Sequence, residues 1–302
     1  MKAIITGALQ ATQEELDMLR SMGLEITLHQ DERQEVAYPE QFELVICNAL
    51  FLYNDIRRFT KLKHIQLTSA GMDRVPLDYI RQHRITLCNA GGVYSIPMAE
   101  WTLMRILELY KNAGHAYENQ QTHRWEKDRS WQELSGKTAC IVGFGAYGME
   151  TAKRLKAFDV KVTVVNRTEK QSPWVDAYLP LEALDDALAE ADIVILAIAL
   201  AEGTRKLMNE KRFACMKQDA LFINAARGGL VDEAALLCAL ETGKLSGAAL
   251  DVFETEPLPA DNALWKTGKL LLSSHNSFVS KKNHHRLIGI VFENLKKYQL
   301  GK

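Results

Sequence analysis

The 302-residue sequence is short of several features that would place it in a special class. It has five cysteines (Cys47, Cys88, Cys140, Cys215, Cys238), widely spaced and without a C-x-x-C pair. A disulfide scaffold or thiolate metal centre needs closer-set thiols. Four of the five stand in apolar segments, so buried, reduced thiols in a cytoplasmic protein are expected. An excess of charge is also missing: 37 Lys and Arg against 38 Asp and Glu leave a net charge of -1. That balance gives nucleic acid or an anionic membrane nothing to attract. The longest apolar run, Ile193 to Ala201, is nine residues, whereas a membrane span needs about 18. The opening MKAIITGALQ holds too short an apolar stretch for a secretory signal. No internal repeat or low-complexity tract stands out.

What remains is an ordinary globular composition, 47% apolar and 25% charged. At about 100–200 residues per domain, the length fits two domains. Strand-like and helix-like segments alternate: 3–6, a helix ending at Gly23, then 25–29, 43–47, 64–69 and 85–89. Short β-branched or aliphatic runs between turn residues predict a parallel sheet covered by helices. Pro97–Tyr110 reads as one long helix, opened by proline and apolar over much of its surface, which is expected to be heavily buried. Asn112–Gly136 is polar and carries Trp125 and Trp131; it reads as a linker or an arm. A second alternating series follows, with strands at 138–145, 160–166, 192–200, 220–226, 246–253 and 269–275 and helices around 181–190 and 232–242. Asn283–Tyr298 is an amphipathic helix with Leu287, Ile290, Val291 and Leu295 on one face. The expected fold is α/β, with two doubly wound parallel-sheet domains.

Gly143-Phe144-Gly145-Ala146-Tyr147-Gly148 fits GxGxxG. The string is weak alone, but here it follows an apolar strand and opens a helix, as a dinucleotide-binding turn must. Gly143 permits the tight turn, Gly145 lets backbone approach a pyrophosphate, and Gly148 lets helix pack on strand. The helix N-terminus then faces the anion. Where NAD would be met by a carboxylate at the end of the next strand, this chain has Asn166-Arg167-Thr168. Arg167 can pair with a 2′-phosphate and Thr168 can donate to one. NADP(H) is therefore the expected preference, with NAD(H) as the alternative.

Three ionisable residues follow apolar strands: Arg227 in AARGG, Glu256 in ETEP and His275 after KLLLSS. Ligands of open α/β sheets bind beyond the carboxyl ends of strands, where all three fall. His284-His285 are adjacent, diverge on a helix and lack partners at ligand spacing, so no metal is expected.

INAARGGLVDE, ALDVFETEPLP, the strand–GFGAYG–helix unit and NAGGVYSIPMAEW occur in fixed order over nearly the whole chain. Together they resemble the D-isomer-specific 2-hydroxyacid dehydrogenase family, of the glyoxylate/hydroxypyruvate reductase kind. The resemblance implies a Rossmann NAD(P)-binding domain at 98–275 and a flavodoxin-like substrate domain from 1–97 plus 276–302. It implies Arg227, Glu256 and His275 as the catalytic trio acting on a small 2-keto or 2-hydroxy acid. Arg227 would bind the carboxylate and keto oxygen through its planar, always charged fork. His275 would donate the proton. Glu256 would orient the ring and favour its protonated form. Ala70 and Gly71, in Ser69-Ala70-Gly71-Met72-Asp73, match backbone donors to the substrate carboxylate. Asp251, Ala199, Thr204 and Ala225 match positions around the cofactor. One departure stands out: the family commonly has proline before the histidine, and this chain has Ser274-His275-Asn276. The substrate would be lined by Leu50, Phe51, Leu52, Tyr53 and Phe278. A homodimer is expected, with no nucleic-acid or membrane partner and no regulatory domain beyond about Gly301. Two other readings share the scaffold: oxidation of another small anion such as phosphite or formate, and a dinucleotide-sensing corepressor-like protein.

Overall fold

The computed structural model describes residues 1–300; Gly301 and Lys302, included above in the substrate domain, lie outside the described residues. From the start run β1 (Lys2–Thr6), α1 (Gln13–Ser21), β2 (Glu25–His29), β3 (Leu44–Cys47), β4 (His64–Leu67), α2 (Leu77–Gln82) and β5 (Thr86–Cys88). Then come α3 (Ser95–Tyr110), α4 (Ala113–Gln121), β6 (Thr138–Val142), α5 (Ala146–Lys156), β7 (Lys161–Val165), β8 (Ala177–Leu179), α6 (Leu184–Glu190) and β9 (Ile193–Leu196). The chain continues through α7 (Glu210–Cys215), β10 (Ala220–Asn224), α8 (Glu233–Glu241), β11 (Leu245–Leu250), β12 (Leu270–Leu272) and α9 (Asn283–Leu300). Two compact units result: residues 1–94 with the chain from Ser280, and Ser95–Val279.

The first unit holds a parallel five-stranded sheet in the order β2-β1-β3-β4-β5. This is the flavodoxin-like doubly wound order. Side chains alternate between two faces, as the period of a strand demands. Ala3 and Ile5 join Leu16 and Leu19 of α1 and Leu287, Ile288, Val291 and Leu295 of α9. Ile4 points the other way, to Val45, Ile65 and Ile80. Ile288 takes the core position expected of Ile290, which is only partly buried.

The second unit holds a parallel seven-stranded sheet, β12-β11-β10-β9-β6-β7-β8. Counted from β6, this is the Rossmann order with one added edge strand. Ala139 and Ile141 of β6 face the layer containing α3 and α5, where Trp101, Ile106 and Leu155 pack. Cys140 and Val142 face α6, α7 and α8 through Leu188, Phe213 and Leu236. Both faces are covered, so the strands read as continuous apolar runs.

Several boundaries differ from the sequence reading. The long helix begins at Ser95, two residues before Pro97, and is one indivisible element of the second unit. The second unit also keeps Asn276 and Ser277, whose backbone N–H groups bond to Asp251. The compact units divide at 94/95 and 279/280, a few residues from the expected 97/98 and 275/276. The polar arm contains a helix, α4. Strands β9 and β12 stop at Leu196 and Leu272, short of the expected ends at 200 and 275. Cys47 and Cys140 are buried, Cys88 and Cys215 partly so, but Cys238 is exposed on the outer side of α8. All five are free thiols. No helix among the described residues is long and apolar enough to cross a membrane.

Candidate active site

The carboxyl ends of β10, β11 and β12 carry the ionisable trio. At the end of β10, the buried Asn224 folds the chain back on itself. Its Oδ1 accepts the Ala226 N–H at 3.0 Å and its Nδ2 donates to the Arg227 carbonyl at 3.0 Å. Arg227 is then presented half-buried in extended backbone, with Nη1 donating to the Ala226 carbonyl at 2.7 Å. The next residue must be glycine: a Cβ on Gly228 would stand 1.9 Å from the Phe253 carbonyl carbon. That close pass lays the Arg227 segment against the loop bearing Glu256.

Glu256 is itself braced. Its Oε1 accepts the Phe253 N–H at 3.0 Å, leaving Oε2 to meet His275 Nδ1 at 2.7 Å. An ionised carboxylate only accepts, so Nδ1 is the donor. Nε2 is the ring nitrogen left to exchange a proton, and it makes no hydrogen bond among the described residues. The Phe278 ring stands edge-on to the imidazole, centroids 5.9 Å apart. The structure thus joins Glu256 to His275 and sets Arg227 on the neighbouring strand end.

The glycine turn after β6 fits a dinucleotide. Gly143 has φ of 98°, and a Cβ there would lie 2.6 Å from the Ala197 carbonyl oxygen. Gly145 caps α5 without a side chain and has open space in front of it. The first-turn N–H groups of Ala146, Tyr147 and Gly148 lack intrahelical acceptors, which makes the turn a cradle for a pyrophosphate. The Tyr147 side chain turns inward, its hydroxyl 2.6 Å from Thr102 Oγ1, so only its backbone can serve the cradle. At the end of β7, Asn166 Nδ2 donates to the Thr168 carbonyl at 2.7 Å, while Arg167 and Thr168 are exposed. Ala199 is exposed and Ala225 buried. The Thr204 hydroxyl donates to the Ala199 carbonyl at 2.9 Å and accepts from the Ala201 N–H at 2.8 Å, bracing that loop.

Within the first unit, Ser69–Asp73 follows β4. The carbonyls of Ser69, Ala70 and Gly71 accept from Ala90 N–H, Asn89 Nδ2 and Ser69 Oγ. The N–H groups of Ala70 and Gly71 make no hydrogen bond among the described residues and suit an anion. Leu50 is 0% exposed and belongs to the core, so it does not line a site; Leu52 and Tyr53 beside it are exposed.

A family model, the NAD binding domain of D-isomer specific 2-hydroxyacid dehydrogenases, matches residues 103–277. The chain belongs to the D-isomer specific 2-hydroxyacid dehydrogenase family. It is thus an enzyme of the NAD(P)-dependent dehydrogenase kind. A glyoxylate reductase from Thermofilum pendens is 35% identical over 245 residues, 78% of this chain and 71% of that protein. A hydroxypyruvate reductase from Thermotoga maritima is 33% identical over 242 residues, 79% of this chain and 78% of that one. A D-isomer specific 2-hydroxyacid dehydrogenase from Xanthobacter autotrophicus Py2, solved in complex with NADPH and MES, superposes with a TM-score of 0.82. That pair is 26% identical, with 100% of this chain and 95% of that chain covered. The chain spans about half the length of the phosphoglycerate dehydrogenases it also matches.

The dehydrogenase also contains supporting residues that the sequence reading passed over. Glu233 Oε1 accepts the Glu254 N–H at 2.7 Å and pins the loop that ends in Glu256. Burial holds the Glu233 carboxyl above its ordinary range; the Glu254 N–H lowers it and the Glu254 charge raises it further. Lys206 bridges Asp232 and Glu254 at 3.3 and 3.5 Å. In the first unit Arg74 Nη1 donates to Asn48 Oδ1 at 3.0 Å, and Glu32 accepts from the N–H groups of Asn48 and Ala49 at 2.6 and 2.7 Å. Their only sequence signal was position after a strand. His284, expected to be solvated, lies 2.9 Å from Glu15, whose carboxylate also accepts the Thr12 N–H.

Proposed function

We propose that this enzyme reduces small 2-keto acids, glyoxylate or hydroxypyruvate among them, to D-2-hydroxy acids with NADPH as the preferred reductant. The observation that carries the reading is the His275–Glu256 pair at 2.7 Å, one strand end away from Arg227. Arg227 binds the substrate carboxylate and polarises the keto oxygen, since a guanidinium carries its charge at every working pH. The nicotinamide, when bound, supplies the hydride. His275 Nε2 gives its proton to the oxygen that becomes the hydroxyl. Glu256 takes the Nδ1 hydrogen bond, aims the ring and stabilises the charge it carries before transfer. The Ala70 and Gly71 N–H groups are donors suited to a substrate carboxylate. Asp251, Ala199 and Ala225 are assigned to the cofactor's surroundings, and Thr204 acts there by holding its loop.

The NADPH preference rests on the absence of a carboxylate at 166–168 and on the exposed Arg167 guanidinium. The assignment of a homodimer rests on Trp125 and Trp131, 99% and 53% exposed on one polar arm, since surface tryptophans of this kind are usually covered by a partner. A panel of 2-keto acids assayed with NADPH and with NADH, by loss of the reduced-nicotinamide absorbance, tests the reading. We expect turnover of glyoxylate or hydroxypyruvate and a higher kcat/KM with NADPH. A clear preference for NADH overturns the cofactor assignment, and no turnover of any 2-keto acid overturns the activity.

A further inference from the structure

His275 has an uncommon backbone. Its φ of 53° lies in the left-handed region, which residues other than glycine adopt uncommonly. Asp251 braces the segment around it. It is 0% exposed and forms no ion pair among the described residues. A buried carboxylate without a cation is tolerated only when hydrogen bonds replace its water. Among the described residues, every hydrogen bond to its side chain comes from the segment around His275. Oδ1 accepts from Ser273 Oγ at 2.5 Å and from the Asn276 N–H at 2.8 Å. Oδ2 accepts from the Ser277 N–H at 2.8 Å, and the Asp251 carbonyl takes the His275 N–H at 2.8 Å. Asn276 Nδ2 reaches Ser274 Oγ at 3.3 Å. Hydrogen bonds thus stiffen the segment that carries His275.

We propose that Asp251 and Ser273 are positioning residues for His275. The buried carboxylate, oriented by the Ser273 hydroxyl, folds residues 273–277 into the turn that carries the imidazole to Glu256. This rests on the reading of His275 as the proton donor. Without the hydroxyl, Oδ1 loses one of its two donors and the carboxylate can rotate. The Asn276 bond then loosens, the His275 backbone relaxes toward a commoner conformation and the ring drifts from Glu256. Proton transfer is more steeply sensitive to such drift than cofactor and substrate binding.

Steady-state kinetics of the full chain and of Ser273→Ala, Ser273→Thr, Ser273→Cys and His275→Ala test this, with NADPH binding followed by nicotinamide fluorescence and folding by thermal melts. Ser273→Ala should lower kcat about ten- to hundredfold, the cost of a displacement of about 1 Å. KM for NADPH and keto acid should stay within about twofold, as for an interaction that matters to the transition state and little to binding. Ser273→Thr keeps the hydroxyl and should restore most of kcat. Ser273→Cys, a weak donor of similar size, should fall between and serves if the alanine variant does not fold. A folded Ser273→Ala with unchanged kcat overturns the proposal, as does a threonine variant no better than alanine. His275→Ala separates the two layers. If it loses turnover while Ser273→Ala and Ser273→Cys are silent, positioning alone fails; if it retains turnover, the proton-donor reading fails and positioning falls with it.

Discussion

Arg167 is the residue on which the choice of cofactor turns. It is exposed at the end of β7, beside Asn166, whose amide is committed to the Thr168 carbonyl. A guanidinium meeting a 2′-phosphate forms charge-assisted bonds, weakened here by solvent. Arg167→Ala should therefore raise KM for NADPH about tenfold and leave kcat and the kinetics with NADH nearly unchanged. Equal losses with both cofactors would assign Arg167 to some other task. At this scale the sequence was readable where a residue's placement depends on its own neighbours. Arg227, Glu256 and His275 each follow an apolar strand, and Gly143 sits in a turn that only glycine completes. Ser273 was not readable, because its partner Asp251 follows another strand and a serine in a loop has no marked pattern. Leu50 was misplaced because an apolar residue beside exposed ones gives no sign of which way it points.

Among the elements, the loop between β11 and β12 shows how charge is managed near the site. Glu233, at the start of α8, holds the Glu254 N–H, and burial raises its carboxyl above the ordinary 4.5. The folded chain therefore keeps that proton to a higher pH than the unfolded chain does. Stability falls as pH rises through the window above 4.5 and stays reduced beyond it. Glu233→Gln keeps an acceptor for Glu254 and removes the charge. It should melt no lower than the parent at about pH 7 and gain less, or lose, at about pH 4; a lower melting temperature confined to neutral pH would contradict this. The strands were legible because period-two alternation and a continuous apolar run both show in the residues. Helix α4 was not, since AGHAYENQQ has almost no apolar stripe and buries little beyond Asn119. Strand β8 spans three residues and α2 and α7 six each, too few for periodicity to register.

The whole molecule is built from two sheets, and the first depends on a helix supplied from the far end of the chain. Val291 and Leu295 of α9 are wholly buried against Ala3, Leu19 and Leu44. Leu295→Ala should cost about 2–5 kcal/mol, the usual range for truncating a buried leucine. A lower urea midpoint would report it, and an unchanged midpoint would mean that α9 is not needed to hold that face. The two-domain reading followed from length and from two alternating series, but the placing of the breaks did not. Those were set by α3 being continuous from Ser95 and by Asp251 retaining Asn276 and Ser277.

The remote origin of α9 also bears on how the protein is born. On the ribosome, residues 1–94 emerge with one side of their sheet only partly covered, by α1, and the whole of Ser95–Val279 must be synthesised before α9 appears. At 5–20 residues per second that interval is roughly 10–40 s. Throughout it the nascent chain shows a greasy surface formed by Ala3, Ile5, Leu16, Leu19 and Ile46, a natural foothold for a chaperone.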